Sequence, residues 1–252
     1  MAGSNGITFD FTGATVLVTG GTSGIGYAVA TAFADAGAAV TITGTRSGPA
    51  DYPDVALDRF TYRPLDTRDA AAVDALAAEI STLDVLVNNA GANFAGGMDE
   101  WDPEGFSAAL DLNVEGAMRL TSRLRGALAA SDLAGGASVV NITSMTAFRS
   151  TTIVPGYSAA KAALLAMTRN FAVHWVDDGI RVNAVAPGLI ATRMTAPMHD
   201  WPEMLDAELG KAAMKRMGTP EEVAAAVLFL SASVSSYTTG TYLAVDGGYL
   251  VL

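Results

Sequence analysis

The sequence predicts a doubly wound α/β domain, in which helices cover both faces of a parallel sheet. Strand-like and helix-like patterns alternate along all 252 residues, and this alternation is typical of parallel sheets. No repeat, low-complexity tract or linker interrupts the pattern, so we expect residues 1–252 to form one domain. Hydrophobic residues make up 50% of the chain, which is enough apolar material for a large core.

The first half of the chain contains four predicted strands and three predicted helices. Short apolar runs bounded by glycine, proline or polar residues indicate buried strands, and they lie at 14–19, 40–43, 60–64 and 83–87. Helical patterns follow the first and third runs, at about 24–36 and 68–80. A longer helix is expected to begin after Asp102, a typical N-cap residue, with Pro103 in its first turn. We expect this helix to continue to about Ala130.

The second half continues the alternation and contains one segment for which the sequence allows two interpretations. Further strands are predicted at 138–142, 181–185 and 242–245, and further helices at the stretch opening with Tyr157 and at 220–231. Five of the ten methionines lie between residues 193 and 217. Because methionine conforms to irregular apolar shapes, this segment is interpreted either as a flexible lid over a substrate or as a short helical pair packed on the core.

Composition argues against several classes of protein. Lys and Arg total 15 against 26 Asp and Glu, a net charge of −11, whereas proteins that bind nucleic-acid backbones carry excess basic charge. There is no cysteine, and His174 and His199 lack clustered ligands, so we expect neither disulfides nor a metal site. The longest apolar run, 223–230, is too short to span a membrane, and residues 1–13 show no signal-peptide pattern. These features favour a cytoplasmic protein.

A glycine-rich loop lies between the first predicted strand and the first predicted helix. It reads Thr19-Gly20-Gly21-Thr22-Ser23-Gly24-Ile25-Gly26. Glycines here allow the backbone to turn sharply and approach a pyrophosphate, whose charge is favoured by the helix N-terminus. A tight turn without a ligand also uses glycines, but the position at the first β–α junction favours a nucleotide loop.

Tyr157 and Lys161 form the most informative pair in the chain. They are four residues apart and therefore share one face of a predicted helix. Lys161 continues into a largely apolar stripe that includes Leu164 and Phe171, so its charge needs a partner. An ammonium roughly 5 Å from a phenol supplies roughly 3 kcal/mol at a dielectric of about 20, most of what brings a pKa of about 10 near neutrality. The pair predicts a tyrosine acid or base; the alternative is a solvated pair.

Several spaced motifs together resemble the short-chain dehydrogenase/reductase family. They are TGGTSGIG at 19–26, Asn88-Asn89-Ala90-Gly91, Asn113, Ser144, Tyr157-x3-Lys161 and Pro187-Gly188. Ser144 precedes Tyr157 by thirteen residues, which also matches that family. The resemblance covers nearly the whole chain. It implies a seven-stranded Rossmann-type sheet, NAD(H) or NADP(H) as cofactor, and hydride transfer between a secondary alcohol and a ketone.

The resemblance implies a role for each residue of the catalytic group. Ser144 would hold and polarise the substrate oxygen, and Tyr157 would exchange its proton. Lys161 would lower the pKa of the tyrosine and bond the nicotinamide ribose. Asn113 would hold a water that relays protons from Lys161. The residues alone leave an alternative open for Asn113, because a buried amide on an apolar helical stripe can also tie one helix to its neighbour.

The cofactor residues implied by the resemblance come from the glycine loop and from the ends of strands. They are Gly20, Ser23, Gly24, Ile25, Gly26, Asp66, Asn89, Ala90, Gly91, Tyr157, Lys161, Pro187, Gly188, Ile190 and Thr192. Asp66 has an alternative role as the N-cap of the helix near Arg68. The end of the second strand offers no acid for the ribose 2′-hydroxyl, and Arg46 could pair with a phosphate. NADP(H) is therefore favoured over NAD(H), although Ser23 stands where NADP-dependent relatives often have arginine.

Substrate and partners are predicted more coarsely. Expected walls of the substrate pocket are Asn93, Phe94, Thr146, Phe148 and Met194. Small residues on a second face of the Tyr157 helix and the apolar ending at 245–252 favour a homodimer or homotetramer. The expected partner is a small carbonyl or alcohol, with neither nucleic acid nor membrane. Two alternatives remain: a β-ketoacyl-carrier-protein reductase, and a regulatory dinucleotide-binding protein without turnover.

Overall fold

Seven parallel strands form the central sheet of the computed structural model, which describes residues 6–252. Residues 1–5, part of the start considered above, lie outside the described residues. The strands are β1 (Thr15–Val18), β2 (Ala39–Gly44), β3 (Thr61–Pro64), β4 (Val85–Asn88), β5 (Ala137–Ile142), β6 (Ile180–Pro187) and β7 (Tyr242–Val245). Their order is β3-β2-β1-β4-β5-β6-β7. The predicted seven-stranded, doubly wound sheet is therefore confirmed, and its order reverses between β1 and β4, where such sheets form a crevice.

Residues 6–252 contain eight α-helices, most of which pack on the two faces of this sheet. They are α1 (Gly24–Asp35), α2 (Ala70–Glu79), α3 (Pro103–Leu110), α4 (Gly116–Arg123), α5 (Arg125–Ala129), α6 (Pro155–His174), α7 (Pro202–Gly210) and α8 (Pro220–Ser231). Phe33 of α1 and Val227 of α8 belong to one apolar cluster, which includes Val16 of β1. Leu76, Leu120 and Phe171, from α2, α4 and α6, belong to a second cluster. Each face of the sheet thus has its own core.

The central strands are buried throughout because both of their faces are covered. All six residues of β5 and all eight of β6 are buried. The two strands pair in parallel register, with Val139 opposite Val182. This double burial explains why the strands are rich in apolar residues without a regular polar alternation, and their buried polar side chains, such as Asn141 and Arg181, are hydrogen-bonded. The same strands end at the crevice, so the residues that follow them are delivered to one place.

The long helix expected from Asp102 to about Ala130 has the predicted extent, but it is not a continuous α-helix. After α3 the chain makes one π-helical turn, Asp111–Glu115, before α4 and α5. Gly116 explains part of the interruption, because a Cβ there would lie 2.5 Å from the carbonyl oxygen of Thr67. Asp102 precedes α3, but its side chain makes no capping hydrogen bond. The break is set by contacts with distant parts of the chain.

The segment between residues 193 and 217 lies over the surface. It contains a 3-10 turn, Ala196–Asp200, and α7, and neither element has a buried residue. Met194, Met204 and Met214 are all exposed. The interpretation as a helical pair packed on the core is therefore wrong, because these helices bury too little apolar surface. Within residues 6–252, no helix has the length and apolar character needed to cross a membrane.

Candidate active site

A cavity of about 580 Å³ opens at the carboxyl ends of the strands. It extends from Arg46, at the end of β2, to Ser144 and Tyr157 beyond β5, and so crosses the point where the strand order reverses. Most of the residues predicted from the sequence line it: Gly20, Ser23, Gly24, Ile25, Arg46, Asp66, Asn89, Ala90, Gly91, Asn93, Phe94, Ser144, Tyr157, Lys161, Pro187, Gly188, Ile190, Thr192 and Met194. Ligands of doubly wound sheets bind at this position.

Four predicted residues do not line the cavity. Gly26 lies beneath the loop, where a Cβ would be 2.3 Å from the carbonyl oxygen of Gly20. Asn113 lies behind Gly91. Thr146 and Phe148 follow Ser144 in a 3-10 turn, Met145–Ala147, which takes the chain away from the cavity. The expectation that they form substrate walls is not met, because Phe148 packs instead on Tyr242 of β7, with ring centroids 4.4 Å apart.

The glycine loop has the geometry of an anion site. Gly20 and Gly24 adopt positive φ angles of 65° and 52°, which side chains disfavour. Ser23 is the N-cap residue of α1, but its side chain makes no capping hydrogen bond. The first backbone N–H groups of α1 therefore lack a partner from that side chain, and they lie at the positive end of a twelve-residue helix. These features fit the pyrophosphate of a dinucleotide.

Asn89 fixes the shape of this loop. Its Nδ2 donates to the carbonyl oxygens of Thr19, at 2.9 Å, and Gly20, at 3.1 Å. The hydroxyl of Thr19 accepts hydrogen bonds from the backbone N–H groups of Asn89 and Ala90, both at 3.0 Å. The glycine loop and the end of β4 are therefore one hydrogen-bonded unit. Asn89 contributes to the cavity by holding the loop as well as by lining it.

The end of β2 carries an arginine held by an aromatic side chain. The guanidinium of Arg46 lies 4.8 Å from the ring centroid of Tyr52 and donates to the carbonyl oxygen of Asp51. The backbone N–H of Arg46 donates to the Tyr52 hydroxyl at 3.1 Å. Tyr52 lines the cavity, and sequence reasoning missed it because it lies in an irregular loop. Gly44 allows this approach, since a Cβ there would be 2.5 Å from that hydroxyl.

Asp66 lines the cavity together with a second arginine. Its carboxylate pairs with the Arg68 guanidinium at 2.6 Å, and the hydrogen bond from that guanidinium lowers the pKa of Asp66 although burial opposes the shift. Asp66 does not cap α2, because Asp69 does, accepting from the backbone N–H groups of Ala71 and Ala72. The capping alternative for Asp66 is therefore wrong. Arg68 is a cavity residue that the sequence analysis did not include.

Ser144, Tyr157 and Lys161 meet at the opposite end of the cavity. Ser144 follows β5, and the other two lie one turn apart on α6. Lys161 is buried, and its Nζ donates to the carbonyl oxygen of Ile142 at 2.9 Å. The same Nζ lies 5.4 Å from the ring centroid of Tyr157. Helical spacing thus produces the predicted approach of the ammonium to the phenol.

The pKa of Tyr157 shifts in the direction opposite to the one expected. The pKa is raised to about 12, because burial and, to a smaller extent, the charge of Glu100 raise it more than the hydrogen bond with Ser144 lowers it. Burial also lowers the pKa of Lys161 to about 8. The downward shift expected beside Lys161 is therefore not found, because removing a phenolate from water has the largest effect on this pKa. At neutral pH Tyr157 is a protonated acid.

The side chain of Asn113 ties the π-helical turn to the chain beyond β4. Its Oδ1 accepts from the backbone N–H of Ala92 at 3.1 Å, and its Nδ2 donates to the carbonyl oxygens of Ala92 and Ala109 at 2.8 and 3.0 Å. The alternative of a tie between neighbouring elements is therefore confirmed. Asn113 also comes close to Lys161, because a Cβ on Gly91 would lie 2.5 Å from Oδ1 and 3.2 Å from Nζ.

Glu100 is a buried carboxylate beside this group that the sequence analysis did not identify. It is 1% exposed. Its two oxygens accept hydrogen bonds from the backbone N–H groups of Phe94, at 2.8 Å, and Tyr157, at 2.7 Å. No sequence signal marks it, because Asp99 and Asp102 give the surrounding stretch the look of a solvated loop. Over residues 6–252, no cluster of His, Cys, Asp and Glu has the arrangement of a metal site.

Comparison with known proteins gives matches over almost the entire chain. Residues 20–250 match the family model described as enoyl-(acyl carrier protein) reductase. The chain is 36% identical over 250 residues to galactitol 2-dehydrogenase (L-tagatose-forming) of Cereibacter sphaeroides, covering 96% of this chain and 97% of that relative. It is 34% identical over 241 residues to a 3-oxoacyl-(acyl-carrier-protein) reductase of Chlamydia muridarum, covering 92% and 95%.

Solved structures show the same extent of similarity. The Pseudomonas aeruginosa RhlG/NADP active-site complex superposes with a TM-score of 0.87 at 31% identity, covering 96% of this chain and 98% of that one. The similarity therefore includes the sheet, the cavity and the elements that carry Ser144, Tyr157 and Lys161, and is not confined to the glycine loop.

Proposed function

Since this chain belongs to the short-chain dehydrogenase/reductase family and is an NAD(P)-dependent oxidoreductase, we propose that it interconverts a secondary alcohol and a ketone with Tyr157 as general acid and base. One observation carries this proposal. Ser144, Tyr157 and Lys161 converge at one end of a cavity whose other side is the glycine loop. The same cavity can therefore hold a dinucleotide and place a substrate oxygen beside the phenol.

Each catalytic side chain has a separate role at the substrate oxygen. The nicotinamide supplies the hydride chemistry at the substrate carbon. In reduction, the hydroxyl of Ser144 donates a hydrogen bond to the carbonyl oxygen, and Tyr157 transfers its proton to that oxygen. Lys161 stabilises the phenolate that remains, since its ammonium lies 5.4 Å from the ring centroid. In oxidation the same proton returns to Tyr157. Asn113 is proposed to hold a water beside Lys161 for proton exchange.

The dinucleotide is proposed to lie along the cavity from Arg46 to Ser144. The first turn of α1 would hold the pyrophosphate, and the loop after β6, with Pro187, Gly188, Ile190 and Thr192, would hold the nicotinamide end. We propose a preference for NADP(H), supported by Arg46 at the adenosine end and by the absence of an acid in Thr43-Gly44-Thr45 at the end of β2.

A free alcohol or ketone is proposed as the substrate in preference to a carrier-bound acyl chain. An acidic carrier needs a basic docking surface, and the chain has a net charge of −11. Arg123 and Arg125, which offer the best candidates for such a surface, already pair with Asp74 and Asp178 at 2.8 and 2.7 Å.

Asn93, Phe94 and Met194 line the cavity and are proposed to contact the substrate, with residues 193–217 as a lid.

The assembly is proposed to be a homodimer or homotetramer of single-domain, cytoplasmic subunits. Val173 of α6 is 79% exposed, and Met118 of α4 and Phe106 of α3 also present apolar surface to solvent. Tyr242, Leu243 and the ending Val251-Leu252 leave a second apolar area at the edge strand β7. Such exposed apolar areas are typical of surfaces that pack on another subunit.

The proposed activity is tested by a screen and one substitution. Galactitol, cyclohexanol, cyclohexanone and acetoacetyl-CoA are each combined with the oxidised or reduced forms of NAD and NADP, and the nicotinamide absorbance is followed. Tyr157→Phe is expected to lower kcat by about 10²- to 10⁴-fold, the usual contribution of a general acid, while dinucleotide affinity changes by less than about twofold. Tyr237→Phe, at a fully exposed position, is the matched control. Full turnover by Tyr157→Phe would reject the assigned proton donor.

A further inference from the structure

Glu100 carries a charge in a place where charges are costly. It is 1% exposed, and none of the ion pairs within residues 6–252 includes it. Burying an ionised carboxylate is unfavourable unless hydrogen bonds replace its water. Both oxygens of Glu100 accept backbone N–H groups, which is how the chain retains this charge. A buried carboxylate without an ion-pair partner is expected to have a specific role.

One of the two contacts is with the helix that carries the catalytic tyrosine. The residue before α6, Val154, has no capping side chain. Glu100 supplies the missing interaction from a distant segment, because its Oε2 accepts from the N–H of Tyr157 in the first turn. The negative charge also lies at the positive end of a twenty-residue helix. The start of α6 is thus held by Glu100.

Gly156 makes this contact possible. A Cβ at that position would lie 3.3 Å from Oε2 of Glu100 and 2.9 Å from the Cβ of Ala109. The first turn of α6 therefore packs directly against α3, and the carboxylate reaches the helix backbone without an intervening side chain.

The other contact is with the proposed substrate wall. Oε1 accepts from the backbone N–H of Phe94 at 2.8 Å. Phe94 has a φ of 47°, a left-handed conformation that costs free energy in a residue other than glycine. The neighbouring Trp101 adds a second tie, since its Nε1 donates to the carbonyl oxygen of Thr152 at 2.9 Å. One carboxylate therefore connects the strained wall residue to the helix that carries Tyr157.

We propose that Glu100 is a positioning residue, which fixes the substrate wall at Phe94 relative to the Tyr157 phenol. This inference rests on the proposed catalytic role of Tyr157. The nearby negative charge also disfavours the phenolate and raises the pKa of Tyr157, in addition to the larger effect of burial. In the described chain, two titratable groups face the phenol: Lys161, from its own helix, whose Nζ lies 5.4 Å from the ring centroid, and Glu100, from the segment before α3, whose charge acts on the pKa of the phenol. Replacing the carboxylate thus changes both geometry and proton affinity.

The first test does not depend on turnover. The ultraviolet absorbance of tyrosinate is measured between about pH 9 and pH 12, a range that reaches the pKa of about 12 of Tyr157, in the wild type and in Glu100→Gln, each after subtraction of the matching Tyr157→Phe protein. The neutral amide removes the repulsion, so Tyr157 is expected to ionise at a pH up to about 1 unit lower. Glu104→Gln removes a charge from an exposed position on α3 and should leave the titration unchanged. Coincident titrations of wild type and Glu100→Gln would overturn the inference.

The second test measures the reaction with the fastest substrate of the panel above. Glu100→Gln is expected to lower kcat by at least about tenfold with little change in dinucleotide affinity, because one of the two N–H groups then faces an amide NH₂. Glu100→Asp keeps the charge but is too short to reach both N–H groups. It should also lower kcat while its tyrosinate titration stays closer to wild type, and it replaces Glu100→Gln if that protein does not fold.

The outcomes separate this inference from the proposed function. If none of the panel compounds reacts but the titration shifts, the substrate assignment fails and the placement of Glu100 beside Tyr157 stands. If kcat falls without any shift of the titration, and urea unfolding shows a loss of stability that matches the fall in kcat when both are expressed as free energies, Glu100 has only a structural role. That result overturns the inference.

Discussion

Arg46 and Tyr52 meet at the end of β2, where the cavity would receive the adenosine part of a dinucleotide. The aromatic ring and the carbonyl oxygen of Asp51 hold the guanidinium in one place. An arginine restrained in this way loses less conformational freedom when it binds a phosphate than a free side chain does. The pair therefore provides a physical reason for the proposed preference for NADP(H).

Replacing this arginine should discriminate between the two cofactors. Arg46→Ala is expected to weaken NADPH binding about 5- to 10-fold more than NADH binding, because only NADPH carries the 2′-phosphate that a guanidinium binds. Fluorescence titration with each reduced dinucleotide measures the effect. Arg59→Ala is the matched control, since Arg59 also lies over an aromatic ring, that of Phe60 at 6.0 Å, but away from the cavity. Equal weakening of both dinucleotides would remove the basis for the preference.

At the scale of single residues, the sequence predicted the groups whose identity and spacing carry chemistry. Ser144, Tyr157 and Lys161 were identified because helical spacing and a separation of thirteen residues are visible in the sequence. Tyr52 and Glu100 were not, because each reaches the cavity region from an irregular loop. The pKa of Tyr157 could not be predicted either, since its direction depends on how much water burial removes.

The π-helical turn between α3 and α4 illustrates what governs an element. The sequence through Asp111–Glu115 continues a helical pattern, so it predicts no interruption. The interruption follows from two long-range contacts: Asn113 with Ala92, and Gly116 with Thr67. By contrast, α8 has the bounds predicted for it, and in the structure Thr219 and Glu222 form a local capping box with Pro220 in the first turn. Local signals predict elements well, whereas contacts with distant segments are not visible in a pattern.

The same turn supplies a prediction about stability. Gly116→Ala would place a Cβ 2.5 Å from the carbonyl oxygen of Thr67, and we expect a loss of about 1–3 kcal/mol in the free energy of unfolding. Urea denaturation followed by circular dichroism measures it. Gly126→Ala in α5 is the matched control, because a Cβ there meets no atom within 4 Å; it should be neutral or stabilise by up to about 1 kcal/mol. Similar stabilities for the two variants would contradict the role assigned to Gly116.

The topology of the whole molecule follows from alternation. A buried strand that is followed by a helix leads to a further strand parallel to it in the same sheet, so the parallel, doubly wound sheet could be predicted before any contact was known. The topology does not predict which helix faces pack against another subunit, because an apolar face can be covered by the chain's own segments or by another copy. Val173 and Met118 are exposed, so the chain's own described segments do not cover them.

Light scattering after size exclusion tests the proposed assembly. At low micromolar concentration, the mass should be about two or four times the 25.8 kDa of one chain. Val173→Asp on α6 should reduce this mass by placing a charge in the apolar surface, whereas Ile7→Asp, at another exposed position, should not. A mass of one chain for the wild type would refute the assembly.

Asn89 and Thr19 make the nucleotide site rigid before a dinucleotide binds. Their hydrogen bonds brace the glycine loop from the neighbouring strand, so little conformational entropy remains to be lost there when a dinucleotide arrives. The exposed segment around α7 has no comparable bracing by buried side chains. Ordering that segment would therefore oppose substrate binding more than cofactor binding, which favours a cycle in which the dinucleotide enters first.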